Sequence, residues 1–125
     1  MSSSTTGASP PRTTSAVKAT GRKQLIIAGI VTEVCVAFPA LSAVEAGYEG
    51  YEVFVVTDAS GTFDAASRQA AWMRMAAAGV QLVNWFSASA ELHRDWRNDV
   101  TGYGKLLVDH TPIYRALMTA YESRK

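Results

Sequence analysis

Chemistry, if this chain performs any, starts from one thiol. Cys35 is the only cysteine among the 125 residues. It has no partner for an internal disulfide, so it serves either as packing or as a reactive group, and a reducing compartment suits it. It lies in Gly29-Ile30-Val31-Thr32-Glu33-Val34-Cys35-Val36, between an apolar run and an Ala-rich stretch. In a parallel α/β sheet, ligands bind at the carboxyl ends of strands, where helix amino termini present unpaired amides and the positive end of a dipole. That setting favours the nucleophilic thiolate, and the same amides can cradle the oxyanion of a tetrahedral intermediate. A lone buried cysteine at a helix start is also a common piece of inert packing. The spacing alone leaves both readings open.

Other titratable residues give weaker signals. His93 lies between Leu92 and Arg94 in an expected helix and suits a helix-surface hydrogen bond better than a general base. His110, beside Asp109 in an expected loop, suits a cap or solvent. Asp58 ends a strand, where ligands approach, but an Asp before Ser and Gly commonly fixes a turn. Two histidines and one cysteine give no metal-ligand spacing, so no metal site is expected. Trp72, Met73 and Met75 read as core or subunit contact.

The elements that must position Cys35 follow from the hydrophobic pattern. Residues Met1 to Ser15 are nearly all Ser, Thr, Gly, Ala and Pro, a composition expected to form a disordered tail, with the domain spanning residues 16–125. Short apolar runs then alternate with Ala-rich amphipathic stretches, which predicts three strand–helix units of a parallel sheet. The first strand is predicted over Gln24–Ile30, buried on both faces, followed by a helix to about Ala46 that Gly47 ends. Pro39 has no amide hydrogen to donate, so the regular helical ladder begins no earlier than about Cys35. The second strand is predicted over Glu52–Thr57 and its helix over Ala65–Ala78, with Gly79 as the stop. The third strand is Val80–Asn84, then a helix capped by Ser87 and running to Asp95. One or two short helices fill Tyr103–Glu122, with Pro112 in the first turn of the last. The tandem Gly47-Tyr48-Glu49 and Gly50-Tyr51-Glu52 predicts a surface bulge.

Composition excludes several classes. Hydrophobic residues make up 48% and net charge is +1 with both signs interleaved, which provides no footprint for nucleic acid or an anionic membrane face. No apolar run approaches the roughly 20 residues that span a bilayer. There is no basic, apolar secretory leader, so a cytoplasmic location is expected. No Gly-rich phosphate loop follows a strand, which argues against a flavodoxin-like ligand-binding module.

The run Leu25-Ile26-Ile27-Ala28-Gly29-Ile30-Val31-Thr32-Glu33-Val34-Cys35-Val36 resembles the nucleophile motif of the isochorismatase-like cysteine hydrolases, the YcaC-type subgroup especially. The likeness extends through Phe38-Pro39-Ala40-Leu41-Ser42-Ala43, Val55-Val56-Thr57-Asp58-Ala59-Ser60-Gly61-Thr62 and Glu91-Leu92-His93-Arg94-Asp95-Trp96-Arg97-Asn98. It runs from about Ala16 to the end. The resemblance implies a three-layer, Rossmann-like parallel-sheet fold, here truncated to about three strand–helix units plus C-terminal helices. It implies Cys35 as the nucleophile in hydrolysis of an amide-like or related small-molecule bond, without a cofactor. It implies a cis peptide at Ile30–Val31, an oxyanion hole from the amides of Val31 and Cys35, and Thr32 as a supporting residue. Intact relatives of this kind are expected to be homo-oligomers.

The family's Asp, from an apolar strand ending in Asp and Gln, and its Lys, near a Pro-Gly and Asn-Ala-Trp region, have no counterpart upstream of Lys18. The resemblance therefore implies impaired chemistry. It also implies that the first strand lacks its usual neighbour and has an open edge, which invites pairing with another chain. The alternative reading is a non-catalytic fragment or interaction subunit that completes its sheet with a second polypeptide.

Overall fold

A computed structural model describes residues 11–45 and 51–125, with side chains from residue 15 onward. Two compact units divide the chain, the first ending at Ala88 and the second beginning at Ser89.

In the first unit, helix α1 (Pro11–Ala19) precedes strand β1 (Gln24–Ile27), and helix α2 (Ala37–Glu45) follows it. Strand β2 (Glu52–Val56), helix α3 (Ala65–Ala78), strand β3 (Gln81–Val83) and helix α4 (Trp85–His93) come next, the last crossing into the second unit. The sheet is three-stranded, in the order β1-β2-β3, and both pairs are parallel. The register sets Leu25 beside Val53 and Val55 beside Leu82.

Side-chain alternation along β2 explains one covered face. Val53 and Val55 point the same way and close a core with Val36, Ala37 and Ala40 of the turn and α2, Ala71 and Met75 of α3, and Val80. Met75, Ala40 and Val55 are fully shielded from solvent. Sheet and α2–α3 layer thus form the expected α/β arrangement. The central strand is the one buried on both faces; β1 is not, and Ile26 is 43% exposed. Among the described residues β1 pairs with β2 alone, so one of its edges has no strand beside it.

Several boundaries differ from the sequence expectation. Backbone of Pro11–Ala19 is helical, overlapping the stretch expected to be a disordered tail; residues 1–10 lie outside the described residues. Pro11 suits a first helical turn because its missing amide hydrogen has no partner there anyway. Ser87 does not cap α4. The Asn84 side-chain oxygen accepts from the Ser87 amide at 2.7 Å, so the helix begins at Trp85 and Ser87 sits inside its first turn. The predicted stop at Gly47 and the tandem repeat's bulge fall largely in residues 46–50, outside the described residues. Helix α3 has the predicted limits: Asp64 accepts from the Ser67 amide at 2.7 Å to cap it, and Gly79 ends it at φ 101°.

The second unit holds helices α5 (Val100–His110) and α6 (Pro112–Glu122), preceded by a 3-10 turn over Trp96–Asp99. Asp95 caps that turn and Asp99 caps α5 through the Gly102 amide. Pro112 opens α6 as expected. His110 lies in the last turn of α5 rather than in a loop. His93 stacks on Tyr103, ring centroids 4.2 Å apart, instead of making a surface hydrogen bond, and Tyr103 Oη bonds Ser89 Oγ at 2.8 Å.

Candidate active site

Two loops leave the carboxyl ends of neighbouring parallel strands, one after β1 and one after β2, and hydrogen bonds tie them together. The Gly29 amide donates to Ser60 Oγ at 3.3 Å, and Ser60 Oγ donates to the Val56 carbonyl at 2.7 Å. The Gly61 amide donates to the Gly29 carbonyl at 2.9 Å. The Gly61 carbonyl accepts from Thr32 twice, from its amide and its hydroxyl, each at 2.7 Å. Thr32 is wholly buried, so its side chain has an internal, structural partner.

Both glycines in this lattice are needed as glycines. Gly29 has φ 145°, which a side chain rarely tolerates. A Cβ on Gly61 would stand 2.7 Å from Ile30 Cγ2, closer than carbon atoms approach without displacement. The Ile30–Val31 peptide bond between these contacts is cis.

Cys35 occupies a wide helical turn, Thr32–Val36, that leads into α2. The Val31 carbonyl accepts from the amides of both Val34 and Val36 at 3.2 Å, which winds the turn five residues deep. Pro39, the third residue of α2, has no amide to donate to the Cys35 carbonyl, and ahead of it the Ala37 amide reaches Thr32 and Val34. Val36 and Ala37 face the core while Val34 and Cys35 face outward, and the thiol is exposed. Cys35 is not sealed in packing. Val31 lies at the head of this turn and Thr32 beneath it, so Ile30, Val31, Thr32 and Cys35 converge on one strand-end loop.

Carboxylates near these loops hold backbone. Asp58 accepts from the Trp85 amide at 2.7 Å and so fixes the start of α4, 27 residues along the chain, where the sequence expectation was a local turn. Asp64 caps α3, and the Ser67 amide and hydroxyl hold its carboxyl below the ordinary range. Glu33 is the residue the sequence reading passed over. Its carboxylate accepts from the Thr62 hydroxyl at 2.9 and 3.1 Å and from the Phe63 amide at 3.2 Å. Desolvation pushes its pKa up, but the Phe63 and Thr62 hydrogen bonds together outweigh this and hold it below its ordinary value. Its partners lie 29 and 30 residues along the chain, so no local spacing could have revealed them.

Among the described residues, no group of three or more His, Cys, Asp or Glu side chains is placed to hold a metal ion. No helix among them is long and apolar enough to cross a membrane.

Comparison with known proteins agrees with this arrangement. The Isochorismatase domain matches residues 6–87, beginning inside the stretch expected to be a tail. "Probable hydrolase YcaC" of Escherichia coli (strain K12) is 64% identical over 108 residues, 86% of this chain and 50% of the relative. The crystal structure of that Escherichia coli protein, described as an octameric hydrolase of unknown specificity, superposes with TM-score 0.80 at 62% identity, covering 90% of this chain and 53% of its own. YcaC from Pseudomonas aeruginosa, solved with hexane-2,5-diol and covalent acrylamide, gives TM-score 0.79 at 63% identity over 87% of this chain and 52% of its own. The chain spans about half the length of these relatives. The match over residues 6–87, the parallel sheet and the 64% identity to YcaC show that the chain belongs to the isochorismatase family.

Proposed function

We propose that this chain carries the nucleophilic half of a cysteine hydrolase acting on an amide-like or related small-molecule bond. The observation that carries the reading is the exposed Cys35 on a wide turn between a parallel strand and its helix, at the edge of two cross-tied loops. In the reaction the Cys35 thiolate adds to the carbonyl carbon, and the amides of Val31 and Cys35 receive the oxyanion. Collapse breaks the bond to the leaving group, which takes up a proton, and leaves a thioester; water then releases the acid and restores the thiol. The covalent acrylamide in the Pseudomonas aeruginosa relative supports this, because acrylamide is an electrophile that thiolates attack.

Turnover by the chain alone is slow. The carboxylates that follow β1 and β2, Glu33, Asp58 and Asp64, each accept backbone amides and are not poised as a base. A thiol with no base poised beside it falls orders of magnitude in rate below a complete constellation. The reading places the protein in the cytoplasm and includes self-association, and the octameric Escherichia coli relative supports the second of these.

p-Nitrophenyl acetate tests this reading. Acylation without efficient deacylation gives a burst of about one equivalent of p-nitrophenol per chain followed by a slow phase, and Cys35→Ser abolishes the burst. A burst retained by Cys35→Ser overturns the assignment.

A second reading is favoured by the edge of β1, which among the described residues pairs with β2 alone and whose Ile26 is 43% exposed. On this reading the chain is a non-catalytic subunit whose sheet is completed by another polypeptide. The Cys35-dependent burst separates the two, since a non-catalytic subunit gives none; a folded monomer in size-exclusion chromatography counts against edge pairing.

A further inference from the structure

We propose that Glu33 is a positioning residue: its carboxylate clamps the loop after β2 to the turn that carries Cys35, and so fixes where the thiol stands. The inference rests on the reading of Cys35 as nucleophile. Glu33 lies two residues before Cys35 in the Thr32–Val36 turn, and its side chain leaves that turn to meet Thr62 and Phe63. The Phe63 amide at 3.2 Å is a main-chain donor with no choice of orientation. The Thr62 hydroxyl, 2.9 and 3.1 Å from the two carboxylate oxygens, also faces the Asp64 carbonyl at 2.8 Å, so its single proton is divided between them. Thr32 bonds Gly61 from the buried side of the same turn. The turn is thus fastened at two consecutive residues, Thr32 to Gly61 inside and Glu33 to Thr62 and Phe63 outside. Two anchors on adjacent residues fix both the position and the rotation of a turn, where one would leave it free to pivot.

Among the described residues on that side, Phe63 is 85% exposed and Val34 45% exposed, so side-chain packing adds less to the fastening than it does at the buried Thr32. The carboxylate is held ionised by the same donors, which is the state that accepts both bonds.

The test compares Glu33→Ala and Glu33→Gln with the parent chain. Readouts are the rate of the p-nitrophenyl acetate burst and backbone hydrogen exchange followed by mass spectrometry. Glu33→Ala is expected to slow the burst by roughly fivefold or more, because the attacking atom loses its alignment. Glu33→Gln retains an acceptor oxygen and is expected to stay within about twofold of the parent. Exchange rises in residues 29–36 and 60–63 of Glu33→Ala and stays unchanged along β2 and α3. The clamp is overturned if Glu33→Ala matches the parent in both readouts. It is overturned equally if exchange rises throughout the first unit, or if Glu33→Gln is as slow as Glu33→Ala with exchange unchanged, since that marks a charge effect. Absence of any Cys35-dependent burst in the parent chain refutes the nucleophile reading instead, and the exchange data still decide the clamp.

Discussion

Replacing Gly61 by Ala perturbs the Cys35 turn without touching it. The added Cβ stands 2.7 Å from Ile30 Cγ2, while ordinary carbon contacts begin near 3.4 Å, so one side must move by about 0.7 Å. Ile30 can relieve part of this by changing χ1, since its side chain is 75% exposed, but the branch at Cβ leaves few alternatives. The overlap therefore costs about 0.5–1.5 kcal/mol, the range for holding a side chain off its preferred rotamer. Displacement passes directly to Thr32, because the Gly61 carbonyl accepts both its amide and its hydroxyl. A shift of that size at the nucleophile turn slows acylation on the order of tenfold. The assay is urea unfolding followed by tryptophan fluorescence, together with the p-nitrophenyl acetate burst. Ile30→Ala in the same background removes the clashing Cγ2 and leaves the 3.8 Å contact to Ile30 Cβ, so the double variant recovers both quantities. Ile30→Ala alone is near neutral, as befits an exposed side chain. The reasoning is refuted if Gly61→Ala matches the parent, or if Ile30→Ala fails to rescue it.

Met75→Ala removes a fully buried side chain from the centre of the α2–α3 core and is expected to destabilise the first unit by about 2–4 kcal/mol in the same urea titration. Asp58→Ala deletes the acceptor for the Trp85 amide; stability falls by about 1 kcal/mol while the burst rate is unchanged, and a large rate loss at equal stability would assign Asp58 to the chemistry. Glu33 and Asp64 have folded pKa values below their ordinary ones, so the stability they contribute is present above the ordinary carboxylate range, near pH 4, and is lost as pH falls through the folded values. Acid titration by fluorescence should therefore show a steeper loss below about pH 4 for the parent than for Glu33→Gln/Asp64→Asn. Equal slopes refute that linkage.

What the sequence disclosed was local. Gly79 and Pro112 mark helix ends because each acts through its own backbone, and both stand where their chemistry requires. Cys35 was legible because the apolar run of β1 and the Pro39 restriction lie within a few residues of it. Failures arose where a partner was distant or a neighbour was needed. Burial of β1 depended on what lies over and beside it, and an apolar run cannot report its neighbours. Asn84 displaced Ser87 as the cap because both are good capping residues and only the backbone chooses between them. Helix α1 was hidden by Ser, Thr and Pro, whose composition reads as tail. Glu33 could be read only after the loops that hold Thr62 and Phe63 had been brought to it.

The account depends on Cys35 being a nucleophile and not a surface thiol, and acrylamide addition measures this directly. Intact mass follows adduct formation at pH 7, compared with a short unstructured peptide bearing one cysteine. Activation by the turn predicts that the parent chain reacts at least about tenfold faster than the peptide. A rate equal to or below that of the peptide contradicts it.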